Sequence, residues 1–400
     1  MVSINTGKKE EKISLSTTKE GEKQNWKVPL FKMYSDKEDI NSISAILKRG
    51  MQWAEGPEIK EFEEKVSNYL ENRNSLSFNS GTSALHVLLS AYNIKNKEVI
   101  TPSFTFIATA NAIPMARGIP VFADIEEKTL GLDAKDVENR ITEKTKAIIL
   151  VHYGGQPAKD TEKIRRIAEE NDILLIEDAA EAFGATINQK KVGTFGHGAM
   201  FSLCQSKIIT TGEGGLAITD DKKVLKTMRL IRSHGREDNN YFDSEKEPGY
   251  IQIGHNFRLP TISAALGISQ LNKIDKIINM RIKCAEQYNN QLSKIKELKT
   301  PEKIEGFKNV YQLYTLKLND KETRDSLQNF LQKNGIMTKV FFSPIHLSKY
   351  YRERYKYREG VLPITEKMYE RVLTLPMFPH IKKQEINYTT GKIKEFFDKK

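Results

Sequence analysis

The 400-residue sequence is first narrowed by what it lacks. It has two cysteines, Cys204 and Cys284, too few for a disulfide framework or a four-sulfur zinc site. That scarcity suits a reducing compartment and a cytoplasmic location. No apolar run approaches the ~20 residues that cross a bilayer, and the N-terminus lacks the apolar core of a signal peptide. No membrane partner is therefore expected, and no internal repeat is visible. Disorder is excluded for most of the chain, because 38% of it is hydrophobic and can supply a core. The charge is unbalanced, with 63 Lys+Arg against 52 Asp+Glu and a net of +11. Two classes of partner fit that excess: nucleic acid, or an anionic small molecule handled by an enzyme.

Single cores stop growing near ~250–300 residues, so the length predicts two folded units. Residues 1–27 read as a polar mobile tail. A large α/β domain is expected over 28–275 and a smaller α+β domain over 276–400. Apolar runs at 98–101, 120–123, 147–151, 173–176 and 216–219 read as strands. They alternate with helical stretches such as 83–92 and 161–171, and a further helix begins at Pro57. This alternation implies a mostly parallel sheet covered on both faces, with ligands beyond the carboxyl ends of its strands. From Ala265 to Ile282 the apolar spacing predicts one long helix, followed by strands at 311–318 and 337–342.

Three stretches carry chemistry. The strand at 173–176 ends in Glu177 and Asp178. Ser202 and Lys207 follow in a stretch that leads to Gly212-Glu-Gly-Gly215. Earlier, Asn79-Ser-Gly-Thr82 opens an apolar helix. Singly, each has a plain reading as a helix cap or a solvated lysine. Together they suit a flat phosphate-bearing cofactor with a ring nitrogen. A lysine binds its aldehyde, a carboxylate keeps its ring nitrogen protonated, and a helix N-terminus holds its phosphate. That cofactor is pyridoxal 5′-phosphate. A lysine must shed its proton before it attacks an aldehyde, and once freed it is a base for moving protons.

The wording of these stretches resembles the DegT/DnrJ/StrS-type sugar aminotransferases. The matching segments are SGTSALH (80–86), PSFTFIATANAI (102–113), IEDAAEAFGA (176–185), FSLCQSKIITTGEGG (201–215), GHNFRL (254–259) and SAALGISQL (263–271). The resemblance implies a fold-type-I pyridoxal-phosphate transferase with a large, mostly parallel, seven-stranded α/β/α domain and a smaller C-terminal α+β domain. It implies Lys207 as the Schiff-base lysine and Asp178 as the partner of the ring nitrogen. Gly81, Thr82 and Ser202 would hold the phosphate, Phe106 would stack on the ring, and Glu181 would lie near the cofactor hydroxyl. Asn256 would reach the phosphate of a second subunit, so a homodimer is implied. Trp53, Ala54, Glu55, Gly56 and His346 would approach the sugar. The implied reaction moves nitrogen from an amino acid, usually L-glutamate, to a nucleotide-linked 4-keto-6-deoxy sugar. The wording is closest to enzymes of the GDP-perosamine synthase kind. Dehydration, C3 amination and a non-catalytic regulatory role are the alternatives.

Other features have plainer explanations. The aromatic and basic run at 350–358 suggests nucleic acid in isolation, but Glu353 interrupts it and a solvated helix accounts for it, so no nucleic-acid partner is expected. The glycines of 193–198 have the wrong spacing for a dinucleotide fingerprint. His152 and Tyr153 follow a strand and are further candidates to line the site, and Cys204 reads as a packed small side chain. No metal is expected.

Overall fold

The computed structural model describes residues 26–71, 73–237 and 249–399. All but the last two residues of the expected tail lie outside the described residues.

Seven strands form the central sheet: β1 (Ser75–Phe78), β2 (Glu98–Pro102), β3 (Ile119–Ala123), β4 (Thr145–Val151), β5 (Leu174–Asp178), β6 (Gly198–Ser202) and β7 (Gly215–Thr219). Their order across the sheet is β1-β7-β6-β5-β4-β2-β3. The run from β6 to β3 is parallel, whereas β7 is antiparallel to both its neighbours. The apolar runs read from the sequence all become strands of this sheet, with ends moved by a residue or two. β1 and β6 are additional. Their Ser- and Gly-containing sequences carry little strand signal, and the sheet supplies their partners.

Side chains alternate across a strand, and the two faces gather separate apolar clusters. Met200 and Ala217 pack with Leu85 and Leu88 on one face. Ala199, Phe201, Leu216 and Ile218 meet Phe62 and Val66 on the other. The first four helices are α1 (Lys37–Arg49), α2 (Pro57–Tyr69), α3 (Gly81–Ala91) and α4 (Ile107–Met115), of which α3 and α4 begin at the site. Pro57 occupies the first turn of α2, where its missing N–H costs nothing.

Two expectations need correction. The single helix predicted from Ala265 to Ile282 is two helices, Thr261–Leu271 and Ile274–Leu292. The break falls at Lys273, whose ammonium is drawn to Asp36 and Asp39 at 2.5 and 3.1 Å. Apolar periodicity runs through the break and hides it. The strand predicted over 337–342 is also absent. A second sheet consists of β8 (Leu298–Lys299), β9 (Tyr314–Leu318) and β10 (Val372–Leu375), all antiparallel. Residues 337–342 contribute one isolated bridge, Lys339 to Thr374, and Phe341 and Phe342 instead line a cavity. The second sheet has its own apolar cluster, with Tyr288, Leu327, Leu331, Phe378 and Ile386 fully buried.

Candidate active site

A cavity of about 400 Å³ opens at the carboxyl end of the central sheet. Val151 ends β4, Asp178 ends β5 and Ser202 ends β6, and all three line it. The first turns of α3 and α4 complete its floor, and residues around β9 and β10 close it from above.

The two carboxylates that end β5 have opposite fates, as neighbours on a strand must. Glu177 turns away into the protein and is wholly buried. Its carboxylate accepts N–H bonds from Gly193, Phe195 and Gly196 at 2.7, 2.7 and 2.9 Å and meets His152 Nε2 at 3.1 Å. Burial raises its pKa, but His152 and the amides of Gly193 and Gly196 outweigh that and hold it below the ordinary value. His152 Nδ1 accepts the Ala158 N–H at 3.0 Å, so Nε2 carries the proton toward Glu177. Asp178 faces the cavity, accepting from Thr109 Oγ1 at 2.7 Å and from the Ala180 N–H at 3.1 Å. Burial is its dominant influence and lifts its pKa above the usual carboxylate range. A buried carboxyl of this kind seeks a cationic partner.

Lys207 enters the same cavity, with Nζ 3.4 Å from Glu181 Oε1. The other oxygen of Glu181 accepts the Gly154 N–H at 2.8 Å. The α3 N-terminus forms the remaining end of the cavity. Ser80 caps it, its hydroxyl accepting the Ser83 N–H at 3.1 Å. The first amides of a helix lack intrahelical acceptors and attract anions, and Ser80, Gly81, Thr82 and Ser202 surround them. Gly215 makes this arrangement possible: a Cβ there would lie 2.4 Å from the Ser80 carbonyl and 2.5 Å from the Gly81 nitrogen. Phe106, 59% exposed, stands at the mouth beside Phe342, with ring centroids 6.1 Å apart.

The structure therefore brings Gly81, Thr82, Phe106, Asp178, Glu181, Ser202 and Lys207 to one cavity. Asn256, Trp53, Ala54, Glu55, Gly56 and His346 do not line it. Asn256 is exposed beside Tyr250, Ile251 and Ile253, the last 92% exposed. Trp53 is half exposed and donates from Nε1 to the Ile46 carbonyl at 3.1 Å. Ala54 is exposed, and Gly56 caps α2. Glu55 pairs with Arg236 and Arg258 at 3.6 and 3.4 Å. His346 is fully buried, between Ser103 Oγ at 2.8 Å and Glu366 Oε1 at 3.0 Å. Of the further candidates, His152 lines the cavity and Tyr153 packs with Phe104 at 5.5 Å. Cys204 also lines it, and burial pushes its thiol pKa up, so it is a poor nucleophile. The run at 350–358 is partly the helix Lys349–Tyr355, whose Tyr351 is buried against Phe122.

Sequence reading missed Thr109, Gln312, Phe341 and Phe342. Thr109 lies within a matched segment and had only its hydroxyl to mark it. The other three come from irregular chain beside the second sheet, with no local pattern to announce them. Among the described residues, no three metal-ligating side chains converge, and no helix is long and apolar enough to cross a membrane.

Comparison with known proteins agrees with this geometry. Residues 33–394 match the DegT/DnrJ/EryC1/StrS aminotransferase family. A pleiotropic regulatory protein of Geobacillus stearothermophilus is 36% identical, over 90% of this chain and 95% of its own. GDP-perosamine synthase of Vibrio cholerae is 30% identical, over 93% and 99%. Among solved structures, Helicobacter pylori PseC, an aminotransferase of pseudoaminic acid biosynthesis, superposes with a TM-score of 0.87 at 28% identity. It covers 93% of this chain and 100% of its own.

Proposed function

Because the chain belongs to the DegT/DnrJ/EryC1/StrS aminotransferase family, we propose that it transfers nitrogen from L-glutamate to C4 of a nucleotide-linked 4-keto-6-deoxy sugar, as a homodimer. The coarser statement needs no proposal: it is a pyridoxal-phosphate-dependent sugar aminotransferase. The single observation that supports the chemistry is the convergence of Lys207, Asp178 and the α3 N-terminus on one cavity.

The residues present fit the cofactor. A buried carboxyl, a primary amine and a helix N-terminus occur together, and they match its ring nitrogen, aldehyde and phosphate. Pyridoxal phosphate, when bound, supplies the aldehyde that carries the nitrogen and a ring that accepts electrons. Asp178 keeps that ring nitrogen protonated, and Thr109 and the Ala180 amide hold the carboxylate in place. Lys207 Nζ removes the proton from the α-carbon of the amino donor and later returns one to the sugar carbon that receives nitrogen. Glu181, anchored on Gly154, steers Nζ. Ser80, Gly81, Thr82 and Ser202 would hold the phosphate, and Phe106 would lie against the ring.

Support for the dimer comes from the rim. Asn256 lies outside its own cavity on an exposed, apolar-rich stretch, suited to reach the phosphate of a second subunit. Trp53, Ala54, Glu55 and Gly56 would then border the sugar. The free cysteines fit a reducing, cytoplasmic setting. The relative named GDP-perosamine synthase favours a GDP-linked acceptor.

The test charges the enzyme with nitrogen from glutamate and titrates it with GDP-, UDP- and dTDP-linked 4-keto-6-deoxy sugars. The cofactor absorbance should recover with the GDP sugar, and NMR should place the new nitrogen on C4. A product aminated at C3, or one that has lost water, overturns the C4 assignment.

A further inference from the structure

Gln312 belongs to none of the sequence stretches that carry chemistry, yet it lines the cavity and is only 5% exposed. Its Nε2 donates to the carbonyl of Ser206, the residue before Lys207. Its Oε1 is buried and has no hydrogen-bond partner among the described residues. Buried amide oxygens usually have a partner.

The backbone of Gln312 is fixed on several sides. Arg281, itself buried, donates to the carbonyls of Tyr311 and Gln312 at 3.1 and 3.4 Å. The Leu313 N–H reaches the Gly154 carbonyl at 3.0 Å. A Cβ on Gly155 would lie 2.7 Å from the Gln312 nitrogen, so the two segments touch main chain to main chain.

These bonds close a ring around the lysine. Lys207 Nζ meets Glu181, Glu181 accepts from Gly154, and Gly154 accepts from Leu313. Leu313 is bonded covalently to Gln312, and Gln312 holds Ser206, which precedes Lys207. One arc of the ring steers the amine, and the other fixes the peptide from which its side chain springs.

We infer that Gln312 is a positioning residue for Lys207, holding the Ser206 carbonyl so that Nζ meets the reacting carbon in register. A lysine side chain has four rotatable bonds. Without the anchor, Nζ would sample a wider volume, and proton transfer would slow more than substrate binding. Misplacement of about 1 Å can cost on the order of a hundredfold. The inference rests on Lys207 being the cofactor-bearing lysine.

The test compares Gln312→Leu, which removes the donor, with Gln312→His, which keeps one. In holoenzyme carrying Gln312→Leu, kcat should fall about tenfold or more, with KM for the amino donor within about twofold. The isotope effect with an α-deuterated donor should rise. The pH midpoint of the absorbance of the lysine-bound cofactor should shift by about half a unit or more, corresponding to a change of about 0.7 kcal/mol between protonation states. Gln312→His should restore part of each value. If Gln312→Leu keeps the wild-type kcat, isotope effect and midpoint, or loses only thermal stability, the inference is wrong. If Gln312→Leu does not fold, Gln312→His decides: a midpoint and isotope effect shifted in a folded protein, with KM for the donor within about twofold, support the anchor, and wild-type kcat, isotope effect and midpoint oppose it. Borohydride reduction and peptide mapping of the wild type separate this from the parent reading. Label on another lysine removes the role of Lys207, whereas label on Lys207 with an unaffected Gln312→Leu removes only the role of Gln312.

Discussion

The floor of the cavity and its rim are built on different terms. The floor is a set of strand ends and helix starts: Asp178 is 3% exposed, Thr109 is 2% exposed, and each polar contact between them is short. Phe106 stands exposed at the mouth, whereas Trp53, Tyr250, Ile251 and Ile253 are large and exposed outside the cavity lining; in the function proposed above these residues form its rim. A chain that places its chemistry in a rigid interior and leaves its recognition surface open separates two tasks. The floor fixes which bonds change. In the function proposed above, the rim, completed by a second subunit, would fix which sugar arrives.

The strongest way to break this contrast is Lys207→Ala. Activity should fall by on the order of 10³-fold or more, measured as amino-sugar formation, and the visible band of lysine-bound cofactor should be absent. Retained transamination would move the chemistry off the floor altogether.

Glu177→Gln tests the frame behind the floor. Glu177 is buried in contact with His152 and three amides, and breaking a buried network of this kind costs about 3 kcal/mol. Chemical denaturation should show that loss while kcat in the folded enzyme changes little. The folded pKa of Glu177 lies below its ordinary value. Its contribution is therefore complete above the unfolded pKa and is lost as pH falls through the folded one. Denaturation midpoints measured from pH 7 downward should drop more steeply for wild type than for Glu177→Gln.

Asn256→Ala tests the rim. Activity should fall about tenfold, the scale of one lost hydrogen bond to a charged group, and the cofactor should bind more weakly. Mixing Asn256→Ala with Lys207→Ala subunits should restore partial activity if Asn256 serves the neighbouring chain. No recovery in a confirmed heterodimer would place Asn256 outside the shared site.

The floor was legible in the sequence, and the reason is local. β5 is an apolar run that stops at Glu177 and Asp178, and α3 begins at a Ser-Gly-Thr turn, so strand end, charge and cap fall within a few residues of one another. Local pattern alone does not divide Glu177 from Asp178, since both end one run; the resemblance names Asp178, which is the one that lines the cavity. The break at Lys273 was invisible because it depends on Asp36 and Asp39, more than 230 residues away. Gln312, Phe341 and Phe342 are cavity walls only because the segments flanking the second sheet pack against the strand ends of the first. His346 illustrates the converse: its sequence neighbourhood pointed to the sugar, but Ser103 and Glu366 hold it within the packing.

Gly215 sets a limit of another kind. Because no side chain fits there, the end wall of the anion turn is bare main chain. Peptide amides do not titrate near neutrality, so a grip built from them keeps its strength where one built from histidine would fade. It also leaves selection less to adjust: the hydroxyls around the turn can change by substitution, while its amides can move only with the backbone.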